Sequence, residues 1–258
     1  MLKIFKIGGN VVDNPEKLDK FLTDFSTIEG KKILVHGGGK IATPVSKALG
    51  IETTMINGRR VTDGETLKVV TMVYAGLINK TIVSKLQKLG TNSIGLCGAD
   101  GKFIVSRKRS AEPVDYGFVG DPDVDKFGVD TAQRLIDNGF NIVVAPITYS
   151  EEGDLLNTNA DTVAQTIALG MSKIYDTELI YCFEKPGVLM DVDDDSSVIK
   201  SITPEYFEQL KTDSVVADGM LPKIENAIRA VRGGVKSVVI CSSDCIKREG
   251  YGGTVITE

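Results

Sequence analysis

The sequence predicts an α/β protein built on a mostly parallel sheet that helices cover on both faces. Three observations carry this expectation. Short β-branched runs alternate with longer segments of helical period, the pattern of β-α-β units with right-handed crossovers. Runs such as NIVVAPI and KSVVICS are apolar throughout, as strands buried on both faces are. The 258 residues, 42% hydrophobic and 25% charged, suffice for one large domain or two lobes sharing a core.

The elements follow in order. A strand over 3–7 runs directly into Gly8 and Gly9, and a helix over 16–26 follows. A second strand, 33–35, ends in Gly37, Gly38 and Gly39 and leads to a helix over 41–49. Asn57-Gly58 marks a turn, and Thr62 or Asp63 caps a helix over 64–74, with another at 78–89. A strand at 93–96 precedes the stretch 102–130, where Pro113, Gly117, Gly120 and Pro122 interrupt short extended pieces. That stretch is expected to be a hairpin-rich excursion from the sheet. A helix at 131–138, a strand at 141–147 and a helix at 162–169 come next. A lobe boundary is expected near Gly170, because SKIYDTELIYCF opens a new unit with a strand at 178–183. The acidic DVDDDSSV reads as a solvated loop, since its sixth and twelfth positions, Ser196 and Ile202, do not suit a calcium loop. Helices at 204–210 and 220–231 and a strand at 237–241 complete the pattern.

Composition excludes several function classes. Net charge is −5 with no basic face, so nucleic acid is not an expected partner. Cys97, Cys182, Cys241 and Cys245 form no CxxC pair and read as small buried hydrophobes in a reducing cytosol. A single histidine, His36, excludes a His-rich metal site, and no protein-held metal is expected. The N-terminus lacks the pattern of a signal peptide. No apolar run approaches the ~20 residues of a membrane span, so the expectation is a soluble, cytoplasmic protein without membrane partners.

Five segments carry candidate chemistry. In FKIGGN, Gly8 and Gly9 let backbone N–H groups approach an anion, and Lys6 can add a point charge; a plain tight turn is the alternative. ILVHGGGK places three glycines between a strand and a helix, an anion cradle. Gly37-x-Gly39-x-x-Ala42 also matches a dinucleotide fingerprint, but no acidic residue ends the next strand about 20 positions on. A Walker A motif is absent, and His36 reads as packed beneath the loop. In INGRRVTD, Arg59 and Arg60 precede a helix, where an arginine can grip a carboxylate in bidentate fashion; taken by themselves they read as a solvated surface pair. In LLNTNADTVAQTIAL, Asn157, Asn159 and Asp161 share one face by their spacing of two, while Thr158 and Asp161 also fit a capping box. In VADGMLPKIENAI, Asp218-Gly219 makes a turn and Lys223 sits near a helix start, a place that suits phosphate; taken by itself it reads as a surface lysine.

These segments, in this order, resemble the amino-acid kinase family. The similarity runs the whole chain, from FKIGGN through HGGGK, NGRRVTD, NKTIVSKL, SIGLCGADG, GFVGDP, NTNADTVA and DGMLPKIENA to GGTVIT. NGRRVTD followed by NTNAD is similar to the branch that phosphorylates N-acylated glutamate. The resemblance implies a three-layer α/β/α sandwich. It implies an N-terminal lobe, 1–170, for acylglutamate binding and dimerisation, and a C-terminal lobe, 171–258, for ATP. It implies transfer of the ATP γ-phosphoryl to the side-chain carboxylate of N-acetyl-L-glutamate, a step of arginine biosynthesis, with Mg²⁺ held mainly by the nucleotide phosphates. Lys6 and Lys223 would flank the transferring phosphoryl and Asp161 would orient both. Gly8, Gly9 and Gly39 would offer N–H groups to its oxygens. Gly38, Gly39, Arg60, Asn157 and Asn159 would hold the acceptor, with Arg60 on its α-carboxylate. Glu184, Lys185, Gly187, Leu189, Val215 and Ala217 would line the nucleotide beside Gly8 and Gly9.

The chemistry agrees with the residues. Phosphoryl transfer needs positioning and charge stabilisation, and a carboxylate nucleophile, already ionised at pH 7, needs no general base. The chain departs from the family pattern at FEKPGV, where Glu184 stands in place of the aspartate of a serine-aspartate pair. Lys40 and Arg59 add positive charge near the expected acyl pocket, so N-succinyl-L-glutamate is the alternative acceptor. A catalytically silent nucleotide or amino-acid sensor on the same fold is the alternative of another class. With its first strand at the N-terminus, the chain is expected to form a homodimer that arginine does not inhibit.

Overall fold

The computed structural model describes residues 1–56, 58–213, 215–216 and 220–258. β1 (Leu2–Ile7) passes through Gly8 into one turn, α1 (Gly9–Val12). The Asn14 side chain accepts from the Lys17 N–H at 3.0 Å and starts α2 (Pro15–Thr27), where proline needs no amide hydrogen. β2 (Lys31–His36) leads into α3 (Gly39–Ala48). A small hairpin, β3 (Met55–Ile56) and β4 (Arg59–Arg60), precedes α4 (Gly64–Thr71), capped by Asp63. A π-helical stretch, Met72–Ile78, joins α4 to α5 (Asn79–Lys88). Then come β5 (Ser93–Leu96), β6 (Ile104–Lys108), β7 (Gly120–Phe127), α6 (Val129–Asp137), β8 (Asn141–Val144), β9 (Ile147–Tyr149) and β10 (Leu155–Asn157). The chain continues through α7 (Ala160–Met171), β11 (Thr177–Phe183), β12 (Ser201–Ile202), α8 (Pro204–Thr212), α9 (Leu221–Arg232), β13 (Ser237–Ser242) and β14 (Thr254–Ile256).

Eight strands form the main sheet in the order β12-β14-β13-β11-β1-β2-β8-β5, and all neighbours are parallel except β13 and β14. Alternate residues of each central strand feed different cores, as the pleat requires. Leu2, Ile4, Leu179 and Val238 enter the core under α6, α7, α8 and α9. Phe5, Ile7, Ile180 and Val239 enter the core under α2, α4 and α5. The result is the three-layer α/β/α sandwich that the sequence implied. The expected excursion is also present: β6 and β7 form an antiparallel hairpin, which β9 and β10 extend to a second sheet ordered β10-β9-β6-β7.

Three expectations about elements change. The strand read over 141–147 divides at Pro146, which has no N–H to donate: β8 stays in the main sheet, while β9 joins the second. The helices read at 64–74 and 78–89 are one continuous helix, because Gly76 lies in open space inside the π-helical stretch and does not break it. α7 begins at Ala160 and is capped by Asn159, whose Oδ1 accepts from the N–H groups of Asp161 (2.8 Å) and Thr162 (3.1 Å). The continuous helix Gly64–Lys88 is long and apolar enough to cross a bilayer by length and composition. Its Val69, Val70, Ile82 and Leu86 are buried against the sheet, which is the behaviour of a core helix.

Candidate active site

Parallel strands in register end side by side, and here that register builds a cleft. Ile7 pairs with His36 on one side and Cys182 on the other, so the segments after β1, β2 and β11 open at one edge. Earlier strands (β2, β8, β5) extend the sheet on one side of β1 and later ones (β11, β13) on the other, and the carboxyl ends of strands at such a switch point are where α/β sheets bind ligands. A cavity of about 690 Å³ lies there, lined by Gly8, Gly9, Gly38, Gly39, Asn157 and Lys223 among others. The two glycine loops touch: a Cβ on Gly37 would lie 3.4 Å from the Gly9 nitrogen. A Cβ on Gly38 would lie 2.3 Å from Ile78 Cδ1, so the π-helical stretch packs directly on that loop.

Lys6 shares the face of Leu2 and Ile4 and therefore points toward α7. It is 7% exposed, and its Nζ lies 2.7 Å from Asp161 Oδ1 in the first turn of α7. Lys223, in the first turn of α9, places its Nζ 4.0 Å from the centre of the Phe183 ring. The Lys6 Nζ is 5.4 Å from the same ring centre. Burial pushes the Lys223 pKa down; Asp161 opposes that shift and Lys6 adds to it. Two ammonium groups thus stand by one aromatic ring, Lys6 paired with Asp161 and Lys223 within the field of that carboxylate, leaving local positive charge for an anion.

One side of the cleft is tightly tied. Arg60, 7% exposed, donates to Gly39 O and Thr43 Oγ1 at 2.9 Å each and to Thr53 Oγ1 at 3.1 Å. Asn157 donates to Thr62 Oγ1 at 3.0 Å. Asn159 lines the cleft while its Oδ1 caps α7. Arg59, also on the cleft wall, is exposed. His36 lies fully buried beneath the loop, Nδ1 2.8 Å from Gly37 O and Nε2 3.3 Å from Asn79 Nδ2. Burial pushes its pKa down to about 4, so it is neutral at pH 7, as expected of a packed rather than catalytic histidine.

On the other side a second cavity of about 450 Å³ is lined by Lys185, Gly187, Leu189, Val215, Val216 and Met220. A Cβ on Gly187 would lie 2.7 Å from Thr254 Oγ1, which itself accepts from the Val188 N–H at 2.8 Å. Glu184 Oε1 accepts from Asn10 Nδ2 at 2.5 Å. Lys185 pairs with Asp195 at 2.8 Å, so one end of the acidic loop braces the wall of this second cavity. Ala217, the Asp218-Gly219 turn and Asn57 lie outside the described residues. Among the described residues no group of three or more His, Cys, Asp or Glu side chains is placed to hold a metal.

The site therefore brings Lys6, Asp161 and Lys223 together, with Arg60 and Asn157 on one flank and Gly187, Leu189 and Val215 on the other. Sequence reasoning gave Phe183 and Asn10 no role of their own and missed Tyr74. Phe183 carries a usable signal, an aromatic residue at the end of a buried strand just before FEKPG. Tyr74 carries none, because its contact with the second glycine loop depends on the π-helical register.

A cleft that gathers Lys6, Lys223 and Arg60 beside two glycine loops, at the carboxyl ends of parallel strands, is an architecture suited to anionic ligands such as phosphates. The family model "Amino acid kinase family" matches residues 1–242, and the chain belongs to that family. It is 51% identical over 246 residues to the acetylglutamate kinase of Cytophaga hutchinsonii, covering 95% of this chain and 92% of that protein. It is 51% identical over 255 residues to the acetylglutamate kinase of Phocaeicola vulgatus, covering 99% and 98%. The N-acetylglutamate synthase structure from Neisseria gonorrhoeae, with coenzyme A and N-acetyl-glutamate, superposes with a TM-score of 0.82 at 19% identity, over 100% of this chain and 59% of that one. At that identity it speaks for the fold alone.

Proposed function

We propose that the chain is an acetylglutamate kinase: it transfers the γ-phosphoryl group of ATP to the side-chain carboxylate of N-acetyl-L-glutamate, in arginine biosynthesis. The single observation that carries the chemistry is the Lys6–Asp161–Lys223 cluster facing two glycine loops. The identity of about one half to acetylglutamate kinases over nearly the whole chain supplies the acceptor.

The residues divide the work as follows. Arg60 grips the acceptor's α-carboxylate, while Asn157, Asn159 and the N–H groups of Gly38 and Gly39 orient the rest. The acceptor carboxylate is ionised and attacks the γ-phosphorus without a base. Charge on the three equatorial oxygens is met by Lys6 on one side, Lys223 on the other, and N–H groups of Gly8, Gly9 and Gly39. Asp161 keeps both lysines aimed. Glu184, Lys185, Gly187, Leu189, Val215 and Ala217 hold the nucleotide, so residues 1–170 serve the acceptor and 171–258 serve ATP. A lysine-rich donor set fits a Mg²⁺ carried by the nucleotide, which screens the phosphate charge when bound. We read the enzyme as soluble and cytoplasmic. A homodimer is supported by Met72 and Leu77, 56% and 57% exposed on one helix, and sedimentation at two concentrations tests it.

The test is a coupled ADP-release assay with ATP and Mg²⁺ against N-acetyl-L-glutamate, N-succinyl-L-glutamate and free glutamate. Turnover highest with the acetylated acceptor is expected. Nucleotide binding without ADP release from any acceptor would instead make the chain a sensor.

A further inference from the structure

Asp13, at the end of α1, has no place in the mechanism above. Both of its carboxylate oxygens are shielded from solvent and have no hydrogen-bond partner among the described residues. Such a group costs stability unless its charge acts on something nearby. Burial raises its pKa, and the cation that opposes the rise is Lys40. The point where a Gly9 side chain would begin lies 3.2 Å from Asp13 Oδ2 and 3.9 Å from Lys40 Cγ. Both side chains therefore pass over the same bare glycine, which leaves room for them. Lys40 continues to the front of the loop and donates to Asn10 Oδ1. Asn10 in turn donates to Glu184 Oε1 at 2.5 Å. Lys40, Asn10 and Glu184 line the cleft, and the line of four residues runs from behind the first glycine loop to the start of the nucleotide loop.

We propose that Asp13 is a positioning residue for the nucleotide: its buried carboxylate holds Lys40, and Lys40 through Asn10 fixes Glu184 and docks the nucleotide loop onto the first glycine loop. The physical reason is charge balance. Lys40 stands in a cleft that already holds Lys6, Arg60 and Lys223, and without a counter-charge its ammonium is repelled outward. With Asp13 behind it, Lys40 stays on Asn10. The asparagine amide is then oriented with its oxygen to Lys40 and its N–H to Glu184, the one orientation that serves both neighbours. This inference rests on the kinase reading for the ligand only.

The experiment is titration of the intact protein with ATP·Mg²⁺ alone, together with thermal unfolding, for Asp13→Asn, Lys40→Met, Lys40→Arg and the double variant Asp13→Asn/Lys40→Met. Asp13→Asn and Lys40→Met should each weaken ATP by about fivefold or more, and the double variant should be no worse than Lys40→Met, the non-additivity of residues acting in one chain. Lys40→Arg should restore binding close to wild type. Asp13→Asn, which removes an unpartnered charge, should leave the melting temperature unchanged or higher. A lowered melting temperature with unchanged ATP affinity overturns the proposal, as does a double variant whose losses multiply. Should Asp13→Asn fail to fold, Lys40→Met with unchanged ATP affinity overturns it equally. Because ATP affinity is read without acceptor, loss of the acceptor assignment is seen separately, as absent ADP release by wild type.

Discussion

The flank of the cleft proposed for the acceptor and the flank proposed for the nucleotide are built differently. On the proposed acceptor flank Arg60 is buried and makes three hydrogen bonds, Gly38 is packed against Ile78, and the second glycine loop extends the central strand β2. On the nucleotide flank Met190 and Val192 are 49% and 58% exposed, and the Lys185–Asp195 pair lies in solvent. The acceptor flank is therefore preorganised, which is where electrostatic stabilisation gains most. The proposed nucleotide flank is a more exposed loop, which a bound ligand is expected to help order. Substitutions on the first should appear in turnover, acceptor affinity and stability; those on the second should appear in the KM for ATP.

The largest effect sits where the flanks meet. Lys223→Ala and Lys6→Ala should each lower kcat roughly 10²- to 10³-fold, the scale of losing one preorganised charge donor, while the ATP dissociation constant moves far less. Steady-state kinetics beside direct titration separates the two, and an undiminished kcat in either variant would remove that lysine from the transfer step.

Arg60→Ala should raise the KM for the acceptor by roughly 30-fold, since it removes a buried, multiply bonded cation worth about 2 kcal/mol or more. Arg59→Ala, on the exposed neighbour, should stay within about 0.5 kcal/mol of wild type. Equal effects at the two arginines would erase the distinction between a built site and a surface charge.

The acceptor flank also carries a pH signature. Unfolded His36 takes up its proton near pH 6.5, the folded one only near 4. More protons bind to the unfolded chain in that window, so stability is complete above pH 6.5 and is lost as pH falls toward 4, on the order of 3 kcal/mol in all. Urea titrations at several pH values should show this slope, flattened in His36→Gln. A slope of the same size in that variant would assign it to other groups.

Smaller effects test packing. Gly38→Ala should cost about 1–3 kcal/mol as an overpacking change, whereas Gly39→Ala, whose nearest new neighbour is the Tyr74 hydroxyl at 3.9 Å, should cost far less; denaturation midpoints report both. Smallest of all, Lys185→Ala should leave the melting temperature within error, because exposed pairs contribute about 0–1 kcal/mol. A modest rise in the KM for ATP is its expected trace.

What the sequence made legible follows from where the information is local. The sheet was readable because its strands are apolar on both faces, whereas Lys6, Asp161 and Lys223 acquired their roles from the resemblance, since a turn or cap signal beside each leaves a structural reading open. The split at Pro146 was missed because NIVVAPI reads as one apolar run, although proline marks the break. The fusion of two helices through Gly76 was hidden because local propensity disfavours glycine there, while burial of Val69, Val70, Ile82 and Leu86 on the sheet holds the helix together. The Asn10–Glu184 contact joins residues 174 positions apart, and no spacing in the chain announces it.

The central claim is that this cleft joins ATP and an acylglutamate carboxylate to give an acyl phosphate. It is tested most directly by incubating the purified protein with ATP, Mg²⁺ and N-acetyl-L-glutamate in the presence of hydroxylamine. The account predicts an acyl hydroxamate formed in equal amount to ADP, and none with Lys223→Ala over the same interval. ADP formed without hydroxamate, or hydroxamate formed equally by that variant, would contradict it.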